Sequence, residues 1–387
     1  MEVDYDIVVV GAGPAGSSFC INAAHRTSVL MLEENFEIGK PVQCSGLVSP
    51  RVMEMSALPH YHNVVDSMRL VSPSGQAYEF SGDSPKGYVI DRSMLDRHLA
   101  QEAARRGAEI MLNAAFTGAE IDDGRVTVHY VKDGEARKVT AHLLIGADGM
   151  YSSVSRTFGL SRFSDIVSCI QCDAVAGELD SGNAVSLYLG RSVAPGFFAW
   201  HIPAGDFSRI GLGVSGGAAM PLELLNALLK RLGVKRALNI TAGPIPLGNS
   251  GRYVIDHVML IGDAAGQAKP ISGGGIFTGM AAGALAADVA LSAIEEGDFS
   301  SSKLSEYERR WKADIGKELS RAMIARRVFL RLNDAQLDAL LRTLSSSSLR
   351  NVISMGDIDF PTRLSPFVLA REPSLLRYSP ALLRALL

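Results

Sequence analysis

The alternation of hydrophobic and polar positions is most regular near the start of the chain. Residues 7–10 form an apolar, β-branched run, typical of a parallel strand buried on both faces. Gly11, Gly13 and Gly16 follow in G-x-G-x-x-G spacing, then a small-residue helix and a second apolar strand ending at Glu33. In this order the glycines permit a tight turn, the helix N-terminus faces a pyrophosphate and the acid binds a ribose hydroxyl. The pattern predicts a dinucleotide-binding βαβ unit, with a plain βαβ unit as the alternative.

The pattern changes twice further along the chain. Residues 67–80 predict a hairpin, and residues 165–215 contain short strands at roughly ten-residue spacing, which indicates an antiparallel sheet. Helical patterns dominate residues 300–350. We therefore expect an α/β protein with a Rossmann-like domain, an inserted antiparallel-sheet substrate domain and a helical C-terminal region. The expected boundaries are, in that order, 1–60, 85–160 and 250–300; 61–84 and 161–249; and 301–387.

Composition narrows the class of protein. The 387 residues carry a formal net charge of −3, which gives no reason to expect nucleic acid, and 47% of them are hydrophobic, as in globular proteins. No apolar stretch of membrane-spanning length and no signal peptide are apparent, so we expect a cytoplasmic protein. Cys169 and Cys172 have C-x-x-C spacing, but in a predicted strand they face opposite sides. No His or Cys cluster predicts a metal site.

Two more glycine turns follow apolar strands, GADG at 146–149 and GDAAG at 262–266. The three turns in this order resemble the FAD enzymes built like aromatic hydroxylases, halogenases and isoprenoid reductases. The resemblance implies an aromatic-hydroxylase-type FAD-binding domain, in which Asp263 hydrogen-bonds the ribityl and pyrophosphate region of the flavin. A helix starting near Gly275 would direct its N-terminal dipole at the isoalloxazine ring. A helix cap without a ligand is the alternative for Asp263.

Four motifs are similar to those of the geranylgeranyl reductase family. They are KPVQCSG at 40–46, Arg92 with Leu95 and Asp96, PGFFAWHIP at 195–203, and KPISGGGI at 269–276. Phe198 stands where the family has tyrosine and Ile202 where it has phenylalanine, so one phenol hydrogen bond is lost and the prenyl pocket is reshaped. Some members pair the loop cysteine with a cysteine near the C-terminus, but no cysteine follows Cys172 here.

The resemblance implies a set of site residues. Those expected to contact FAD are Gly11, Gly13, Ala15, Gly16, Glu33, Cys44, Ser45, Gly46, Arg92, Phe116, Asp263, Gly275 and Ile276. Those expected to line the prenyl pocket are Phe198, Trp200 and Pro203. Cys44 is the candidate catalytic residue, as a proton donor, with a bound water as the alternative.

The function implied is that of an FAD-dependent reductase. It would saturate the C=C bonds of geranylgeranyl chains, on digeranylgeranylglycerol phospholipids of archaeal type. The alternatives are a flavin monooxygenase or halogenase, a reductase of another prenyl substrate such as a prenyl quinone, and a non-catalytic prenyl-binding protein. The external electron donor is open between NAD(P)H, a ferredoxin-like protein and a quinol, because no second G-x-G-x-x-G unit is present.

The end of the chain has a distinctive composition. From residue 301 onward there are 15 Lys and Arg against 9 Asp and Glu. Residues 360–387 mix apolar residues with four arginines and one acid, which suits peripheral association with an anionic membrane surface. The alternative is a C-terminal helix docked on the protein itself. The residues expected at the membrane are Arg363, Phe367, Leu369, Arg371, Leu375, Leu376, Arg377, Leu382 and Arg384.

Overall fold

The computed structural model describes residues 2–82, 84–175, 182–217, 219–249 and 251–378. Its strands are β1 (Tyr5–Val10), β2 (Val29–Leu32), β3 (Leu47–Val48), β4 (Asn63–Val65), β5 (Ser67–Val71), β6 (Ala77–Ser81), β7 (Gly87–Val89), β8 (Glu109–Met111), β9 (Ala114–Asp122), β10 (Arg125–Lys132), β11 (Glu135–Gly146), β12 (Phe163–Val175), β13 (Ala184–Tyr188), β14 (Ala199–Pro203), β15 (Phe207–Ser215), β16 (Ala237–Asn249), β17 (Val254–Ile255) and β18 (Val258–Leu260). Its helices are α1 (Pro14–Ala23), α2 (Pro50–Ser56), α3 (Arg92–Arg105), α4 (Ser153–Phe158), α5 (Pro221–Leu232), α6 (Ile276–Glu296), α7 (Ser301–Ala313), α8 (Ile315–Arg331), α9 (Asp334–Leu344), α10 (Ser347–Ser354) and α11 (Ser365–Arg371).

The first sheet is built around β1. Parallel pairing gives the order β8-β2-β1-β11-β18, with β17 antiparallel at one edge. Ile7, Val8 and Val9 are fully buried, so both faces of β1 are covered, as an apolar parallel strand requires. Strands β9, β10 and β11 form an antiparallel extension. Its turns have positive φ at Asp123-Gly124 and Asp133-Gly134, which matches tight hairpin turns.

Helix α1 lies very close to α6 because small residues line their contact. A Cβ at Gly283 would lie 2.4 Å from the carbonyl oxygen of Ala15, and a Cβ at Gly262 would lie 2.8 Å from the Ala15 Cβ. The Ser18 hydroxyl donates to the carbonyl of Met280 at 2.8 Å. This packing places the turn at Gly262 beside the first turn of α1.

The second sheet has the order β16-β12-β15-β14-β13-β5-β6. Its pairs are antiparallel except β13 with β5, so the hairpin predicted at 67–80 joins this sheet by a parallel contact. One face carries Ile170, Leu212 and other apolar side chains that pack against α5. The opposite face carries Phe197 and Trp200. A small third sheet has the order β3-β7-β4.

The α/β class, the parallel first sheet, the antiparallel second sheet and the helical C-terminal region confirm the predicted fold class. Cys169 and Cys172 are free thiols, and Cys172 belongs to the core on the α5 side of the second sheet, whereas Cys169 packs on the other face. The predicted domain boundaries stay a prediction.

The C-terminal region is docked through buried charges. Lys269 Nζ donates to Asp359 Oδ1 at 2.7 Å, and Arg51 Nη1 lies 3.3 Å from the other Asp359 oxygen. The Asp359 side chain is fully buried. Glu318 accepts hydrogen bonds from the backbone N–H and hydroxyl of Thr362. The chain is therefore anchored as far as Thr362, close to the turn that precedes α6.

Helix α11 contrasts with that anchor. None of its residues is buried; Phe367 is 58% exposed and Leu369 is 40% exposed. Of the other residues expected at a membrane, the side chains of Leu376 and Arg377 and the whole of Leu382 and Arg384 lie outside the described residues.

Among the described residues, helix α6 alone is long and apolar enough to cross a membrane by length and composition. From the sequence alone we expected no apolar stretch of that length. The helix is apolar enough because alanine is its commonest residue and leucine, isoleucine and valine accompany it. However, 67% of its most apolar 18-residue stretch is buried within the fold. A buried core helix passes the same test, and the packing of α6 against α1 fits that description.

Candidate functional site

The glycine turn after β1 has the geometry that close approach of a ligand requires. A Cβ at Gly16 would lie 2.0 Å from the carbonyl oxygen of Gly11, and a Cβ at Gly11 would lie 2.5 Å from the carbonyl oxygen of Ala147. Gly13, the N-cap of α1, has no atom within 4 Å of the position of a Cβ. Two of these glycines are therefore required by the packing of the turn, whereas the third faces open space at a helix N-terminus.

Glu33 lies at the end of β2, directly beside this turn. Its Oε2 accepts a hydrogen bond from the backbone N–H of Ala12 at 2.9 Å, and its Oε1 accepts from Asn35. The backbone carbonyl of Glu33 accepts from the N–H of Ala114, at the start of β9. Phe116 lies two residues further along β9, so the structure brings Phe116 and Glu33 to the same edge of the sheet.

Asp263 follows β18 and lies at the N-terminal end of α6. A Cβ at Gly275, the N-cap of α6, would lie 2.8 Å from Asp263 Oδ1. Among the described residues, no hydrogen bond is made to the Asp263 carboxylate, so the alternative of a helix cap is not supported. Burial raises the pKa of Asp263, and the charge of Arg92 opposes that rise. Ile276 is the first residue of α6.

Arg92 connects Asp263 with the loop at 40–46. Its guanidinium binds Asp96 through contacts of 2.9–3.2 Å. Burial lowers the pKa of Arg92, but the nearby Asp96 and, to a smaller extent, Cys44 outweigh that effect and leave it raised. Burial raises the pKa of Asp96 despite the nearby Arg92. The guanidinium of Arg92 therefore pairs directly with Asp96, and its charge also acts on Asp263.

These contacts join the predicted flavin-binding residues into one continuous arc. The arc runs from Phe116 and Glu33 through the glycine turn to Ala15, then across Gly262 to Asp263. From Asp263 it continues through Arg92 to Cys44. All the predicted flavin-binding residues are half-buried except Gly16 and Gly46, which are buried. Half-buried residues in a connected arc are typical of the lining of a cleft.

The predicted prenyl-binding residues lie on β14 and the segment before it. Phe198 and Trp200 make an edge-to-face contact with ring centroids 6.1 Å apart, and Phe197 stacks on Phe198 at 4.2 Å. The indole of Trp200 lies over Gly211, where a Cβ would come within 2.5 Å of the ring. Pro203 is three residues further along the strand, about 10 Å from Trp200. Pro203 is buried, and its carbonyl accepts a hydrogen bond from Asn63.

Two side chains that sequence reasoning missed join the arc to this sheet. Gln171 on β12 donates from Nε2 to the carbonyl of Cys44 at 2.9 Å. Arg209 on β15 donates from Nη1 to the carbonyl of Ser45 at 2.5 Å. Gln171 lies within the apolar strand sequence VSCIQC, and Arg209 stands at the start of RIGLGV. A polar residue at a buried strand position was the signal that could have found them.

The residues of the arc fit a flavin dinucleotide. The Asp263 carboxylate has no hydrogen-bond partner among the described residues, and Gly13 leaves open space at the N-terminus of α1. Helices α1 and α6 both begin beside these residues, α1 after Gly13 and α6 after Gly275. Within the described ranges, no group of three or more His, Cys, Asp or Glu side chains could hold a metal ion.

Comparison with known proteins assigns the family. The tryptophan halogenase family model matches residues 50–326. A digeranylgeranylglycerophospholipid reductase from Methanocaldococcus jannaschii is 33% identical to this chain, over 98% of each sequence. The chain belongs to the digeranylgeranylglycerophospholipid reductase family. Recognition of the geranylgeranyl reductase family from its motifs is thereby confirmed, and the halogenase match places this reductase family within a wider group of related folds.

Solved structures agree with the family assignment. A geranylgeranyl bacteriochlorophyll reductase-like protein from Thermoplasma acidophilum is 27% identical with a TM-score of 0.88, covering 98% of this chain and 99% of its own. A flavin-dependent brominase is 18% identical with a TM-score of 0.74, covering 97% and 100%. At that identity the brominase shares the fold alone with this member of the reductase family.

Proposed function

We propose that this protein is an FAD-dependent reductase that saturates the C=C bonds of geranylgeranyl chains on digeranylgeranylglycerophospholipids. The curated relative from Methanocaldococcus jannaschii, which matches the chain over nearly its full length, carries that activity in its name. One observation in the structure carries the proposal furthest. The Cys44 loop is hydrogen-bonded on one side to the backbone of Ile90, two residues before Arg92, and on the other to the sheet that holds Trp200.

The proposed roles follow from these contacts. The glycine turn at Gly11–Gly16, Glu33, Phe116, Ser45, Gly46, Asp263 and the N-terminus of α6 bind FAD, which supplies a hydride to an alkene carbon when it is reduced and bound. Cys44 holds a proton at Sγ for the second carbon, beside Arg92. Phe198 and Trp200, which pack edge to face, bind the prenyl chain and exclude water from the alkene, whereas Pro203 points to the opposite face of β14. An isolated alkene offers no carbonyl group to accept charge, so positioning and a dry environment carry much of the catalysis.

The proposed function is tested by mass spectrometry of the lipid product. Full-length protein loaded with FAD is reduced with dithionite and incubated with a digeranylgeranylglycerophospholipid. We expect the lipid mass to increase by two hydrogens for each double bond reduced, and no change with protein that was not reduced. Oxygen or halogen in the product, formed only with O₂ present, would instead support the monooxygenase or halogenase alternative. The same experiment with a prenyl quinone tests the other substrate class.

The proposed electron donor is an external reductant. Single additions of NADH, NADPH, a reduced ferredoxin or a quinol, in place of dithionite, identify which of them bleaches the flavin. A donor that reduces the flavin at a rate matching lipid reduction is the physiological class. We include all three classes, because no second dinucleotide fingerprint is present in the sequence.

We further propose that the protein associates peripherally with the cytoplasmic side of a membrane through α11. Phe367 and Leu369 expose apolar side chains on a short helix, and Arg371 lies on the same side of that helix as Phe367, so an apolar side chain and a cation for anionic headgroups stand together. Each basic residue near an anionic surface contributes about 1 kcal/mol. The anchor at Asp359 and Thr362 holds the preceding segment to the fold, so α11 extends from a fixed point.

Co-sedimentation with liposomes that contain anionic phospholipid tests this association. We expect Phe367→Ser with Leu369→Ser, in the full chain, to reduce the bound fraction relative to wild type. Leu238→Ser with Ile240→Ser, on exposed positions of β16, is the matched control and should bind as wild type does. Equal binding by all three proteins would assign α11 to the alternative of a structural end.

A further inference from the structure

The loop that carries Cys44 lies across three strands of the second sheet. Gln43 faces Gly243 on β16, where a Cβ would lie 3.3 Å from the Gln43 Cβ. The Cys44 carbonyl accepts from Gln171 on β12, and the Ser45 carbonyl accepts from Arg209 on β15. Successive residues of the loop therefore contact successive strands in the order β16, β12, β15, which is the order of the strands in the sheet.

Gln171 and Arg209 are both held in place by the sheet. Gln171 is 8% exposed and pairs with Gly211, on whose other side the Trp200 indole lies. Arg209 is 9% exposed, and its Nε donates to Asp173 Oδ1 at 3.1 Å across the β12–β15 pair. The Arg209 guanidinium is thus oriented by Asp173 before it meets the loop, and its ion pair offsets the desolvation of an arginine at this depth, whereas Gln171 is held by its burial beside Gly211.

The opposite side of the loop is held by the first half of the chain. The Gly46 carbonyl accepts from the N–H of Ile90 at 2.9 Å, and the Gly46 N–H donates to Cys44 Sγ at 3.4 Å. Gly46 has a φ of +71°, and a Cβ there would lie 2.7 Å from Arg209 Nη1. The carbonyls of Cys44 and Ser45 therefore face the second sheet, whereas the Gly46 carbonyl faces the first half of the chain.

We propose that Gln171 and Arg209 are positioning residues that hold the loop at Cys44 and Ser45 on the second sheet and thereby set the position of the Cys44 thiol. The two side chains set the position of a reacting group through the loop backbone. The contacts make the placement of Cys44 depend on the same strands that support Trp200. The proposal depends on the proposed function only in that Cys44 takes part in the reaction.

The test measures how fast Cys44 is alkylated by iodoacetamide in the FAD-loaded, full-length protein, with peptide mass spectrometry to separate the four cysteines. Gln171→Leu keeps the side-chain volume but removes the hydrogen-bond donor. Arg209→Lys keeps the charge but loses the planar guanidinium, which donates to Asp173 and to the Ser45 carbonyl at the same time. Because Cys44 is half-buried, release of the loop should raise its alkylation rate about fivefold in each variant, the factor expected for one net hydrogen bond.

Two controls separate positioning from general loosening. Ser208→Ala, next to Arg209 on β15, removes a hydrogen bond to His201 and should leave Cys44 alkylation within about twofold of wild type. Cys172, 1% exposed on β12, reports opening of the whole sheet. Unchanged Cys44 alkylation in both variants, or a parallel rise at Cys172, would overturn the proposal. Because the readout is alkylation, a protein that fails to reduce prenyl lipids can still support or overturn it.

Discussion

The candidate site has two halves, the dinucleotide-binding residues of the first sheet and the residues of the second sheet that contact the Cys44 loop. The contacts that form each half join residues at very different separations in the sequence. In the dinucleotide-binding half, the contact between Ala12 and Glu33 joins residues 21 positions apart. In the half formed by the second sheet, Gln171 and Cys44 are 127 positions apart, and Arg209 and Ser45 are 164 apart. The first half is specified by local turn chemistry, and the second exists only after the two sheets have come together. The two halves should therefore respond differently to substitution.

The largest effect is expected in the second half, at Trp200. The side chain is 8% exposed and covers Gly211, so Trp200→Ala leaves a cavity in the sheet that its neighbours cannot fill. We expect the free energy of unfolding to fall by about 4 kcal/mol and prenyl-lipid binding to be lost. Urea denaturation of the variant measures the first and lipid titration the second. Trp200→Phe, which retains an aromatic ring, should lose less than half as much; a wild-type stability for Trp200→Ala would contradict the burial argument.

The next largest effect separates two functions within the glycine turn. In Gly16→Ala the new Cβ meets the Gly11 carbonyl at 2.0 Å, so we expect a loss of about 3 kcal/mol in unfolding free energy. Gly13→Ala has open space and a φ of −70°, so its stability should stay close to wild type while FAD affinity falls. Denaturation of the apoproteins and quenching of flavin fluorescence on titration measure the two quantities. Equal flavin affinity in Gly13→Ala and wild type would remove Gly13 from the binding surface.

A smaller effect is expected from His201, the neighbour of Trp200 on the opposite face of the second sheet. The side chain is 3% exposed and contacts the Ser208 hydroxyl at 2.9 Å; burial, with a smaller contribution from Arg69, lowers its pKa to about 4. The unfolded chain therefore binds a proton that the folded chain does not, and stability falls as the pH drops from about 6.5 toward 4. We expect a loss of about 2 kcal/mol at pH 5 relative to pH 7.

The His201 prediction is checked by urea denaturation at several pH values. His201→Gln retains a neutral polar side chain but cannot titrate, so its stability should depend less on pH over this range than that of wild type. Identical pH dependence in the two proteins would show that other groups cause the acid sensitivity. Because His201 lies away from Cys44 and Arg92, flavin affinity should be the same in both.

The sequence allowed the first half of the site to be predicted almost completely. The strand, the glycines and Glu33 lie within one βαβ unit, and turn chemistry with strand and helix periodicity is enough to place them. Arg92, Asp263 and Gly275 were found only by resemblance, because the contacts that unite them cross the chain. Gln171 and Arg209 were not found. Their importance depends on the order β16-β12-β15, and register between distant strands is not visible in a single sequence.

The smallest effect on stability is expected at Asp263, and it has the opposite sign. Burial raises the pKa of this carboxyl group, so the folded apoprotein binds its proton more tightly than the unfolded chain does. The contribution of Asp263 to stability is therefore present at low pH and is lost as the pH rises from the unfolded value through the raised one. Asp263→Asn retains the shape without the charge, so the apoprotein should be slightly more stable than wild type at pH 7 and equal to it at low pH.

FAD retention of Asp263→Asn on gel filtration should nevertheless fall, because a carboxylate that accepts hydrogen bonds has been replaced by an amide. Higher stability together with full flavin retention would mean that Asp263 destabilises the apoprotein and has no role in FAD binding. Lower stability of Asp263→Asn at pH 7 would mean that the charged carboxylate stabilises the turn.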